Sequence, residues 1–168
     1  MLKKFIQTPP IKKVILGIDP GTSIIGFGFI EKRAGGLFPL TYGCIKNPAN
    51  EPIEKKLLKL EKELEELLKE HRPEILAIEK IFFFKNAKTI IDVSRAQGVI
   101  LLAAARFKIP IFEFTPLEVK QAVSGYGRAE KQQVQKMVRL ILRLKEIPKP
   151  DDAADALAIA ICAANSVR

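Results

Sequence analysis

Four carboxylates in this 168-residue chain stand where a solvated surface role explains them poorly. Asp19 closes the apolar run Val14 to Ile18 and opens an Asp19-Pro20-Gly21 turn, while Glu79 closes the apolar run Ile75-Leu76-Ala77-Ile78. Both runs read as strands buried on two faces, so each delivers an acid at its carboxyl end, where open α/β sheets place their ligands. Asp152 and Asp155 are three apart on a helical segment and project from one side, among Ala153, Leu157, Ala158 and Ile159. Taken singly, Asp19 could be a turn residue, and Asp151 or Asp152 an N-cap or first-turn acid. Asp155 lies past the first turn, where a charged group among alanines and leucines needs a partner. Carboxylates gathered in one place raise one another's pKa unless a cation compensates them. Oxygen-only ligands suit Mg²⁺, with Mn²⁺ as a substitute. Two such ions about 3.5–4 Å apart can stabilise the attacking water and the leaving oxygen of phosphodiester cleavage.

The elements that must position these acids follow from periodicity. Residues 1–13 are basic, proline-containing and without a period, a loose arm ahead of a single domain spanning residues 14–168. After the strand from Val14, strand-like runs cover Ile25 to Glu31 and Leu37 to Ile45, and the intervening Gly35-Gly36 suits a hairpin, making the first three strands antiparallel neighbours. Ile53, Leu57, Leu60, Leu64 and Leu67 recur at spacings of three and four, an amphipathic helix that Pro73 stops. After the strand ending at Glu79, a helix from Asn86 to about Lys108 carries small and apolar residues on one side, among them Ile91, Ser94, Gly98 and Leu102. That face either packs on the sheet or meets a second copy of the chain, and both readings are open. A fifth strand spans Pro110 to Phe114, and Thr115-Pro116 has the cap-then-proline order of a helix start. A helix from Ala129 to about Glu146 and a last one from Asp151 to about Asn165 complete the chain. The order β-β-β-α-β-α-β-α-α predicts an α/β fold, a five-stranded mixed sheet flanked by helices.

Composition narrows the partner. Lys and Arg number 28 against 19 Asp and Glu, a net charge of +9, which favours a polyanion such as nucleic acid. Cys44 and Cys162 are far apart with no C-x-x-C pattern, so they read as small core residues rather than zinc ligands or a disulfide framework. The single histidine, His71, reads as a helix C-terminal residue, not an imidazole catalyst. The opening residues contain no apolar signal core and no run reaches membrane-spanning length, so a cytoplasmic protein without a membrane partner is expected. Phe82-Phe83-Phe84, followed by Lys85 and Lys88, either packs in the core or stacks bases beside phosphate contacts.

A family resemblance rests on these segments together. Ile18-Asp19-Pro20-Gly21-Thr22 with Gly26-Phe27-Gly28, Ala77-Ile78-Glu79 with Phe82 and Lys85-Asn86-Ala87, and Ala96-Gln97-Gly98 carry its first half. Val119-Lys120-Gln121-Ala122-Val123, Gly125-x-Gly127, Ala129-Glu130-Lys131-x-Gln133-Val134 and Asp152-Ala153-Ala154-Asp155 carry its second. Between about Val14 and Ala164 the chain resembles the RuvC Holliday junction resolvases. The resemblance implies an RNase H-like fold, a homodimer, and paired nicks in two like-polarity strands of a four-way DNA junction, in recombination and repair. It puts Asp19, Glu79, Asp152 and Asp155 on the metal-binding positions, with two Mg²⁺ per site. Lys120 and Lys131 fall on basic positions near the scissile phosphate, Lys131 among the catalytic ones. Phe82 falls on an aromatic that meets unstacked bases; Lys85, Lys88 and Arg128 join the DNA-binding set. A branch-migration complex of the RuvA and RuvB type is an expected partner. The chain departs from the family pattern in its longer N-terminal arm, in Lys80 after Glu79, and in Asp151, an extra acid able to compete as a ligand.

Rival functions have their own signatures. Asp19-Pro20-Gly21-Thr22 also resembles the first phosphate loop of actin-like ATPases, but that fold needs a second half and this chain has one copy. A related nuclease acting on structured RNA would share the acids and the basic charge. A non-catalytic junction-binding module would share the charge alone, and the four acids disfavour it.

Overall fold

The computed structural model describes residues 12–81 and 87–167, the side chains of residues 87–89 excepted. Three antiparallel strands come first: β1 (Lys13–Asp19), β2 (Ile24–Arg33) and β3 (Gly36–Lys46). They are followed by α1 (Ile53–His71), β4 (Ile75–Glu79), α2 (Ala87–Arg106) and β5 (Ile111–Phe114). Three helices close the chain: α3 (Pro116–Ser124), α4 (Lys131–Ile141) and α5 (Asp151–Ser166). The sheet order is β3-β2-β1-β4-β5, with β4 parallel to both β1 and β5. The mixed five-stranded sheet is the expected one, and three helices follow β5 where the expected order counts two, the additional one being α3 at the helix start that Thr115-Pro116 signals.

Alternation along the strands divides the core into two layers. Leu16, Ile18, Phe29, Leu76 and Ile78 face α1 and α2, meeting Leu60, Leu64, Leu68, Ala96, Ile100 and Ala103. Ile15, Ile30, Ile75 and Ala77 face the other way, towards α3, α4 and the almost wholly buried α5. The sheet is thus sandwiched between helices, and β1 and β4, covered on both faces, are the apolar runs that the sequence showed. His71 ends α1 with its ring 4.6 Å from that of Phe29.

The seating of α5 depends on strand glycines. A Cβ on Gly17 would lie 2.6 Å from Ala160 N and 2.9 Å from its Cβ, and one on Gly28 would lie 2.7 Å from Leu157 Cδ2. One on Gly26 would collide with the Asp152 carbonyl. Glycine within a strand permits this backbone approach, and the alanines of α5 answer it from the other side.

Several boundaries differ from expectation. Helix α4 stops at Ile141 instead of running to about Glu146, because Arg143 adopts a left-handed conformation at φ 53° and Leu144 N–H turns back to the Arg139 carbonyl at 2.9 Å. Lys12 already belongs to the folded part: its ammonium lies 2.7 Å from the buried carboxylate of Glu31, which Arg33 also meets at 2.7 Å. The rest of the expected arm, residues 1–11, lies outside the described residues. Cys44 corrects the view of both cysteines as core residues. It is half-buried in β3, whereas Cys162 is buried, and both are free.

Candidate active site

Alternation decides where Asp19 and Glu79 point. Gly17 and Ala77 are paired neighbours facing α5, so Asp19 and Glu79, two residues further along the adjacent parallel strands, project to the same side. Asp152 lies in the first turn of α5 and sits over Gly26, and Asp155 follows one turn later. The four half-buried acids therefore converge where two strands end and one helix begins.

Electrostatics registers that convergence. Asp19 is pushed from the usual 3.8 to about 8, first by burial and then by Asp155, Glu79 and Asp152, with Lys131 pulling weakly the other way. Asp155 is also raised, because burial outweighs its hydrogen bond and charge interaction with Lys131. Lys131 donates from Nζ to Asp155 Oδ2 at 2.9 Å and lies 3.7 Å from Asp151. Burial lowers its pKa, yet its bond to Asp155 and the charges of Asp155, Asp151 and Asp152 leave it raised. The more exposed ammonium gains from the pair, and the deeper carboxyl is not fully rescued by one cation.

Two of the acids, Glu79 and Asp155, line a concavity of about 300 Å³ with Lys120 and Lys131, against an apolar wall of Val119, Val134, Ala158 and Ile159. Lys120 is placed by α3, whose start is fixed by a Thr115–Glu118 capping box with Pro116 in the first turn. Lys131 opens α4 directly after Glu130, which forms a capping box with Gln133. A larger concavity of about 650 Å³ lies elsewhere, between α1 and the β2–β3 ribbon, and contains none of the four acids.

Other expected residues fare differently. Arg128 is exposed in the loop before α4 and does not line the concavity. Phe82 and Lys85 lie outside the described residues, as does the side chain of Lys88. Asp151 is held by Lys149 at 3.1 Å as well as by Lys131, and its carboxyl is lowered chiefly by the Lys149 hydrogen bond. Its charge is thus met by two lysines, while it still bears on Asp155 and Lys131.

Two features escaped sequence reasoning. Gly17, Gly26 and Gly28 set the depth of α5, and the available signal was glycine recurring inside otherwise apolar strands. Cys44 pairs with Gly26 across the β2–β3 ladder and borders the acids; burial, then Asp152, and more weakly Asp19, push its thiol up to about 11.

The donor set suits a divalent cation. The converging groups are all carboxylates, which favour a hard ion, and the raised Asp19 marks uncompensated negative charge. Among the described residues no group of three or more His, Cys, Asp or Glu is disposed to hold a metal ion as it stands, and the Lys131 ammonium rests on Asp155. The chemistry fits; the coordination shell is not closed in advance.

Comparison with known proteins points one way. A family described as crossover junction endodeoxyribonuclease RuvC matches residues 15–163. A crossover junction endodeoxyribonuclease RuvC from Desulfitobacterium hafniense is 58% identical over 154 residues, covering 92% of this chain and 93% of its own. Its counterpart from Moorella thermoacetica is 53% identical over 152 residues, covering 90% and 91%. Among solved structures, T. thermophilus RuvC in complex with Holliday junction substrate superposes with a TM-score of 0.88 at 36% identity, covering 93% of this chain and 95% of the other. The yeast mitochondrial Holliday junction resolvase Ydc2, at 14% identity, shares the fold with a TM-score of 0.62, covering 89% and 78%. The sheet and its helices are RNase H-like, as the resemblance implied.

Proposed function

This chain belongs to the RuvC family of crossover junction endodeoxyribonucleases, and we propose that it resolves four-way DNA junctions by two symmetric nicks, one from each protomer of a homodimer. The observation that carries this reading is the convergence of Asp19, Glu79, Asp152 and Asp155, where burial and then the neighbouring carboxylates lift Asp19 to about 8, beside Lys120 and Lys131.

Asp19, Glu79, Asp152 and Asp155 are the residues that would hold divalent cations, Mg²⁺ with Mn²⁺ as a substitute, two per site. When bound, such ions supply charge stabilisation to the attacking water and the leaving oxygen of a phosphodiester. In the hydrolysis a water oxygen bonds to phosphorus, one bridging P–O bond breaks, and the departing oxygen takes up a proton. Lys120 and Lys131 flank the acids and would anchor the scissile phosphate and stabilise its developing negative charge. Val119, Val134, Ala158 and Ile159 form an apolar wall that would strengthen those interactions. Lys131, now paired with Asp155 at 2.9 Å, is within the same concavity and would be the nearer of the two ammonium groups to a phosphate bound over that acid.

The homodimer is supported by α2. Ala96, Ile100, Ala103 and Ala104 pack inward, leaving Ile91, Ser94, Gly98 and Leu102 on the exposed side. The expected small-residue face is thus turned away from the sheet, and a two-fold axis through it would give the paired sites that a four-armed substrate demands. A branch-migration complex of the RuvA and RuvB type would deliver that substrate. No helix among the described residues is long and apolar enough to cross a membrane.

The test is hydrolysis by purified protein with Mg²⁺ of a four-way DNA junction, a linear duplex and a structured RNA. Paired nicking confined to the junction is expected. Preferential cleavage of the RNA would favour a ribonuclease, and junction binding without nicking would contradict the enzymatic reading.

A further inference from the structure

A second basic surface continues from the site along α4 and into the loop before α5. Lys136, Arg139, Lys145 and Lys149 line an open concavity of about 500 Å³ together with Ile147 and a single acid, Glu146. Lys136, Lys145 and Lys149 are exposed and Arg139 is half-buried. Among the described residues Lys136, Arg139 and Lys145 take part in no ion pair, whereas Lys131 and Lys149 on either side of them have found acids. Unneutralised cations held close together repel one another, and an anion is what relieves them.

The surface is continuous with the reaction centre. Lys149 lies 3.1 Å from Asp151, Asp151 lies 3.7 Å from Lys131, and Lys131 lies 2.9 Å from Asp155. From Lys131 to Arg139 is eight residues of helix, roughly 12 Å at about 1.5 Å per residue. That length corresponds to roughly three to four base pairs of duplex at about 3.4 Å each. Ile147 is the one apolar residue among those lining the concavity, so no aromatic platform is there to stack a base. Its cations come from α4 and from the loop that follows it, and the concavity they line is open.

We infer that Lys136, Arg139 and Lys145 form a phosphate-tracking surface for the duplex arm that leaves the scissile position, a contact set distinct from Lys120 and Lys131. This rests on the junction-cleaving reading above. The surface reads no sequence, since exposed lysines and an arginine aimed at phosphates carry no base code. Its role is to fix the arm's direction and thereby the register of the cleaved phosphate in the site.

The combined variant Lys136→Gln, Arg139→Gln, Lys145→Gln tests this, with its fold checked by circular dichroism and its affinity measured against salt. On a junction with full arms, removing three phosphate contacts should lower the slope of log affinity against log salt by about 2.7, so that the wild-type advantage shrinks about forty-fold between 50 and 200 mM salt. On a junction whose arms are trimmed to a few base pairs, the two proteins should converge. An unchanged slope on full arms overturns the inference and leaves the surface to an acidic protein partner. An equal loss on full and trimmed arms overturns the arm-tracking role while preserving a general electrostatic one. Failure of the wild type to bind any junction removes the functional reading itself, and the inference with it.

Discussion

Asp19 concentrates the electrostatic strain of the site. Its ordinary value near 3.8 is raised to about 8 by burial, then by Asp155, Glu79 and Asp152. Between those values the folded chain retains a proton that the unfolded chain has released, so without divalent cations stability falls as pH rises from about 4 to about 8. Thermal unfolding in chelator should show this decline, and Asp19→Asn should remove most of it, stabilising the metal-free protein at pH 8 by on the order of a few kcal/mol. Mg²⁺ should restore the wild type and do little for the variant; a wild-type melting temperature flat across this window would contradict the assignment. Lys131 makes a separate prediction. Lys131→Ala should slow nicking of bound junction by about 10²–10³-fold while changing affinity far less, in single-turnover assays. The four acids were legible in the sequence because their types and flanks were anomalous for surface residues. The Lys131–Asp155 contact was not, since a sequence separation of 24 fixes no distance until α4 and α5 pack together.

At the scale of elements, the site is made by the depth at which α5 meets the sheet. Gly26 lies under Asp152 and Gly17 under Ala156 and Ala160, so a methyl group at either place must displace the helix. Gly26→Ala should cost about 1–3 kcal/mol in denaturant unfolding and also abolish nicking, because the shift acts at the acids. Gly17→Ala, further along the helix, should cost similar stability with a smaller loss of activity. If Gly26→Ala unfolds like the wild type and nicks normally, α5 is not seated as described. Strand and helix existence was readable because β1, β4 and α1 have strong periods. The end of α4 was not, because Arg143 closes it without the glycine or asparagine that signals a left-handed stop.

For the whole molecule, the inward and outward faces of α2 carry the next prediction. Periodicity alone could not say which face met the sheet, since both contain alanines and aliphatics; the packed structure turns Ile91 and Leu102 outward, 59% and 52% exposed. Leu102→Glu should convert a dimer to a monomer in sedimentation velocity and reduce paired nicking to isolated single nicks. A dimer that survives this change and Ile91→Glu together would place the two-fold axis elsewhere. Above all of these stands the claim that the four-acid cluster is the catalytic metal centre of a junction resolvase. The most direct measurement compares Asp19→Asn with the wild type on one four-way junction, recording affinity and Mg²⁺-dependent nicking in parallel. Near-wild-type affinity with nicking abolished is the predicted result, because the change removes a cation ligand and leaves the basic surface intact. Nicking that persists at the wild-type rate, or affinity and nicking that fall by the same factor, would contradict it.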